Sequence, residues 1–77
     1  MKGDPVDAIR FRLDLLIGRY DRFQRKERGG HSVDAKIYQE LDRNINAGIT
    51  YLSLVRSKDY EEYRNRYNRL LNGGDPA

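Results

Sequence analysis

The chain has 77 residues, 38% hydrophobic and 35% charged, which bounds it to a single small domain with a thin core. It has no cysteine and one histidine, His31, which excludes disulfides, thiolate zinc sites and multi-histidine centres. A chain this small without such staples depends on regular helix packing or on self-association, and both are expected here.

The first helix is expected over about residues 5–28. Asp4 is its cap, Pro5 suits the first helical position, and Asp7 adds negative charge where the helix dipole favours it. Val6, Ile9, Leu13, Leu16, Ile17, Tyr20 and Phe23 recur at spacings of three and four. At 100° per residue they fill a sector roughly 120° wide, the stripe of a core-facing helix. Gly29-Gly30 ends the helix, and Arg25, Lys26 and Arg28 sit at the negative end of its dipole. Phe11 and Leu15 lie on nearly the opposite face, followed along it by Gly18 and Arg22. Such an aromatic and aliphatic pair is a small apolar patch. Two partners suit it: the chain's own C-terminal segment, or another subunit or protein.

The second helix is expected over about residues 33–56, with Ser32 as cap and Asp34 in its first turn. Its stripe reads Val33, Ile37, Leu41, Ile45, Ile49, Leu52 and Val55, with Ala47 and Gly48 permitting close helix approach. The short connection makes the two helices antiparallel. After Arg56-Ser57-Lys58-Asp59 the stripe resumes at Tyr60, Tyr63, Tyr67, Leu70 and Leu71, over about residues 59–72. Ser57 or Asp59 can cap a separate third helix. Alternatively, the second helix runs on as an association arm, since no Gly or Pro lies between Gly48 and Gly73. The fold class is therefore all-α, an antiparallel helical hairpin with either ending. Met1 to Gly3 and Gly73 to Ala77 read as frayed ends. The chain shows no internal repeat.

Little in the sequence points to self-contained catalysis. His31 stands in a loop beside glycines, with no nucleophile arranged around it, and Glu61-Glu62 cannot share one helical face. The longest apolar run, Leu15-Leu16-Ile17, is too short for a signal peptide or a membrane span, which with the absence of cysteine points to the cytoplasm. Net charge is +3, and arginine supplies 11 of the 15 basic residues. That suits acidic partners, since arginine grips phosphate and carboxylate with two parallel bonds. Nucleic acid is one such partner, met by Arg19, Arg22 and Arg25 and by Tyr60, Tyr63 and Tyr67 interleaved with Arg64, Arg66 and Arg69. The same tyrosine spacing also suits a core stripe whose hydroxyls reach water at its edge.

On the second helix, Gln39-Glu40-Leu41-Asp42 followed by Ile45-Asn46 resembles the signature of the bacterial aspartyl-phosphate phosphatases that regulate entry into sporulation. Their signature reads Ser-Gln-Glu-Leu-Asp, often with Ile-Asn after it, on the second helix of an antiparallel hairpin. Tyr38 stands here at the position of the motif's serine. The resemblance spans about residues 9–52. It implies a regulatory protein that binds a response-regulator receiver domain and dephosphorylates it. Asp42 is then the essential residue and Gln39 a neighbouring polar contact, orienting water for in-line attack. The chain needs no cofactor of its own, because the partner brings the phosphorylated aspartate and a divalent metal. Tyr38, Phe11, Leu15 and Arg22 are the candidate partner contacts. The remaining alternatives are a basic nucleic-acid binder and a non-catalytic homodimer or adaptor.

Overall fold

The computed structural model describes residues 5–72 and consists there of three helices: α1 (Pro5–Arg28), α2 (Ala35–Leu54) and α3 (Tyr60–Leu71). The expected cap Asp4 and the ends Met1 to Gly3 and Gly73 to Ala77 lie outside the described residues. Each helix packs against the other two. The hairpin is present, and the third segment is a separate helix rather than an extension of the second.

Each break has a backbone cause. At the end of α1, Gly30 takes a left-handed conformation (φ 97°). His31 N–H then donates to Lys26 C=O at 2.9 Å, and Gly30 N–H to Glu27 C=O at 3.0 Å. These two reversed bonds close the helix end and turn the chain back. The same device ends α2, with Arg56 (φ 56°) in the left-handed position. Ser57 N–H donates to Leu52 C=O at 2.9 Å, and Arg56 N–H to Ser53 C=O at 3.1 Å. An arginine thus does what glycine usually does, at a steric cost of about 1–2 kcal/mol. Beyond it, Ser57 Oγ accepts from Asp59 N–H at 3.1 Å. Asp59 occupies the cap position of α3 without a side-chain capping bond. Its carboxylate instead faces Arg10 of α1, with Arg10 Nε 3.4 Å from Asp59 Oδ2.

The start of α2 departs from expectation. Asp34, not Ser32, is the cap: its backbone is extended (φ −63°, ψ 130°), and its side chain accepts from Lys36 N–H at 3.0 Å. Helix two accordingly runs from Ala35 to Leu54 instead of 33–56. Both serine and aspartate satisfy the chemistry of a cap; what decides is which residue carries the extended backbone just before the first helical turn.

The core follows the stripes. Leu13, Leu16, Ile17 and Tyr20 of α1 meet Leu41, Ile45, Ile49 and Leu52 of α2, and Tyr63, Tyr67 and Leu70 of α3 close the third side. Val6, Ile9, Phe23, Tyr38 and Tyr60 pack around it, partly buried. Close approach of α1 and α2 depends on Gly48, where a Cβ would stand 2.8 Å from Leu13 Cδ2. Ala47 is exposed beside it, lining the groove between the two helices. The ends of the stripes are less covered than expected: Ile37, Val55 and Leu71 are all exposed.

Candidate functional site

The carboxylate carried over as catalytic, Asp42, lies where α1, α2 and α3 meet. It is half-buried, and its Oδ1 accepts a hydrogen bond from Tyr67 Oη of α3 at 2.6 Å. Asn46, one turn on, donates from Nδ2 to Asp42 C=O at 2.9 Å and to Tyr67 Oη at 3.3 Å. Tyr20 of α1 completes the junction edge-on to Tyr67, with ring centroids 6.4 Å apart. Burial raises the ionisation of Tyr67 well above the usual phenol range, and the hydrogen bond to Asp42 adds to that effect. The phenol is therefore a fixed donor and the carboxylate its acceptor. The structure thus gives Asp42 a tyrosine of α3 as its partner.

Other motif positions divide by exposure. Gln39 and Glu40 are exposed on α2. Tyr38 is half-buried: its ring stands 5.0 Å from Tyr20 and 6.5 Å from Phe23, and its hydroxyl donates to Glu27 Oε1 at 2.6 Å. Burial, then that bond, pushes the Tyr38 phenol up to about 12. Tyr38 thus joins the ends of the hairpin, a role its omission from the apolar stripe concealed. A tyrosine counts as apolar for packing and polar at its tip, so it fits either face of a periodicity plot.

A second acidic anchor was not singled out from the sequence. Asp14 Oδ1 accepts from Tyr63 Oη at 3.0 Å and from Arg66 Nη1 at 2.8 Å, holding α3 against α1. Nearby, Gln24 Nε2 donates to the Leu70 carbonyl at 2.8 Å, meeting one of the orphan acceptors at the C-terminus of α3. With Tyr63 and Tyr67 buried, these two rings are core residues and offer no face for base stacking. Of the interleaved arginines, Arg66 is paired while Arg64 and Arg69 are exposed.

Between α2 and α3 runs an open groove of about 430 Å³ whose lining includes Asn46, Thr50, Tyr60, Arg64 and Asn68. No carboxylate or histidine lines it. Among the described residues no group of three or more histidine, aspartate or glutamate side chains could hold a metal. No helix among them is long and apolar enough to cross a membrane.

The remaining predicted contacts lie on the far side of α1. Phe11 is 67% exposed and Leu15 56%, and Gly18 and Arg22 are exposed beside them. α3 does not cover this patch: it packs along the other flank of α1, through Asp14 and Gln24. Site residues thus fall in three places: Asp42 and Tyr38 at the helix junctions, Gln39 exposed on α2, and Phe11, Leu15 and Arg22 on an uncovered face of α1. Comparison with known protein families, with curated proteins and with solved structures finds no match to this chain.

Proposed function

We propose that this chain is a non-catalytic helical regulatory protein that works by docking onto a protein partner through the outer face of α1. The observation that carries the reading is the exposure of Phe11 and Leu15, one turn apart on the flank that neither α2 nor α3 covers. Large apolar side chains grouped in this way mark contact surfaces more often than singly exposed ones do. The polar groups best suited to chemistry, Asp42 and Asp14, are engaged in holding α3. A photo-crosslinking side chain at position 11, introduced in the native host, is expected to give a protein adduct. The same group at Lys58, on the exposed turn before α3, should give none. Adducts from both positions, or from neither, overturn the reading.

A receiver-domain partner is a second reading, favoured by the exposure of Gln39 and Glu40 next to Asp42 on the second helix of a hairpin. It predicts that the wild type shortens the lifetime of an aspartyl phosphate on a receiver from its host. Gln39→Ala should then remove that effect without changing the melting temperature. Unchanged acyl-phosphate lifetimes across the host's receivers rule it out.

A further inference from the structure

The outer face of α1 carries more order than two exposed apolar residues. Residues 7–27 divide into three heptads, each opening on an aspartate: Asp7, Asp14 and Asp21. In coiled-coil lettering these aspartates fall at g. Ala8, Leu15 and Arg22 follow at a, Phe11, Gly18 and Arg25 at d, and Arg12, Arg19 and Lys26 at e. One edge of the seam is therefore acidic at every heptad, and the other basic at every heptad. The intramolecular core uses the opposite positions, with Leu13, Leu16, Ile17 and Tyr20 at b, c and f.

The seam is open in the folded chain. Ala8, Phe11, Leu15 and Gly18 are all exposed, and a Cβ at Gly18 would meet nothing within 4 Å. On the basic edge, Arg12 and Arg19 border α2 across shallow grooves that also reach Asn44, and among the described residues neither has an ion-pair partner. On the acidic edge, Asp14 borders α3 through Arg66. Neither neighbour covers Phe11, Leu15 or Arg22, and an open groove beside Gly18 and Asp21 separates this face from Arg66 and Arg69 of α3, leaving room for a further helix.

Resting on the reading of this face as a docking surface, we propose that its occupant is α1 of a second copy of this chain, parallel and in register. Charge decides the orientation. In a parallel pair each g residue faces the e residue of the partner's next heptad. Asp7 then meets the partner's Arg12, Asp14 the partner's Arg19, and Asp21 the partner's Lys26, and symmetry makes each contact twice. An antiparallel pair sets the acidic edges against each other and likewise the basic edges. The carboxylates already touch Arg10, Arg66 and Arg25 within the chain. The Asp7 and Asp21 pairs lie within one helix at the surface, weak enough to be shared or exchanged, while Asp14 keeps Tyr63 and Arg66 on Oδ1 and meets the partner through Oδ2. Phe11 and Leu15 supply the apolar contact, and Gly18 lets the two backbones close. In the third heptad Arg22 and Arg25 face their own copies, so the apolar contact is confined to the first two heptads and the third is held by the Asp21–Lys26 pairs alone. A seam this short gives a reversible dimer.

Sedimentation equilibrium of the wild-type chain, from micromolar to millimolar concentration, is expected to show a monomer–dimer equilibrium. Leu15→Glu should remain monomeric throughout with unchanged helicity, because Leu15 makes no core contact in the monomer. Orientation is read from disulfides, since the chain has no cysteine of its own. Ala8→Cys should link to itself readily under a glutathione redox buffer, and a mixture of Ala8→Cys with Arg25→Cys should give mainly like-with-like products. The proposal is overturned by a monomeric wild type, by a dimer that survives Leu15→Glu, or by preferential linkage of position 8 to position 25. A monomeric wild type whose position-11 crosslinker still captures a different protein would reject the second copy while leaving the docking reading in place.

Discussion

Substituting Asp42 with alanine tests whether this residue is structural or catalytic. Its Oδ1 accepts from Tyr67 Oη at 2.6 Å, a charge-assisted bond of the stronger kind. Bonds to charged groups contribute about 1.5–3 kcal/mol, but Asp42 is only half-buried, and water recovers part of that on its loss. Asp42→Ala also leaves the hydroxyl of Tyr67, itself 7% exposed, without an acceptor, while Asn46 can still donate to it. A destabilisation of about 1–2 kcal/mol follows. For a chain of this size that lowers the melting temperature by about 5–15 °C. Thermal melts by circular dichroism of the wild type, Asp42→Ala, Tyr67→Phe and the double variant complete a cycle. They must share one protein concentration, since self-association shifts the midpoint. The double variant should be little worse than either single one, giving a coupling of about 1 kcal/mol. If Asp42→Ala melts within 2 °C of the wild type and the two substitutions simply add, the contact is not holding α3, and Asp42 is again available for a role in solution.

Three further outcomes follow from packing, backbone and titration. Gly48→Ala should destabilise by about 1–3 kcal/mol despite alanine's higher helix propensity, because the new methyl meets the buried Leu13 at 2.8 Å; a raised melting temperature would contradict the tight crossing of α1 and α2. Arg56→Gly should stabilise by about 1 kcal/mol, since glycine accepts φ 56° without a Cβ penalty; equilibrium urea unfolding measures the gain. The phenol ionisations of Tyr38 and Tyr67 are raised in the folded state, mainly by burial and then by hydrogen bonds to Glu27 and Asp42. The native state therefore holds those protons more tightly than the unfolded state does. Their contribution is fully present below the ordinary tyrosine value of about 10 and is lost as pH rises above it. Melting temperature should fall on raising pH above 10, and less steeply in Tyr67→Phe; equal slopes would refute the assignment.

Much of this architecture is legible in the sequence because three- and four-residue spacing reports faces directly. The stripes of α1 and α2 name the buried leucines and isoleucines, and Gly29-Gly30 marks the first turn. The spacing of Tyr60, Tyr63 and Tyr67 fits a core face as well as a binding one, and burial selects the first. The second break was open because its left-handed residue is Arg56, and only glycine or asparagine announces that conformation. The partner of Asp42 was illegible for a different reason. Periodicity orients each helix about its own axis but does not set how far one helix slides along another, and Tyr67 lies 25 residues away on a different element. The charge pattern of α1 does not register in hydrophobic periodicity, which reports the apolar stripe and not a seven-residue recurrence of aspartate on the opposite side.

Two of the three tyrosines of α3, Tyr63 and Tyr67, act as locating pins. A helix of twelve residues has little stability of its own, and an apolar contact through Leu70 tolerates small slips, since one hydrocarbon surface resembles another. Tyr63 and Tyr67 stand one turn apart, and their hydroxyls reach carboxylates on two different helices, Asp14 on α1 and Asp42 on α2. Rolling α3 toward either helix shortens one reach and lengthens the other. Sliding it along its axis by a turn breaks both bonds. Two hydrogen bonds thereby constrain both rotation and translation of α3, converting a permissive greasy contact into a single seating.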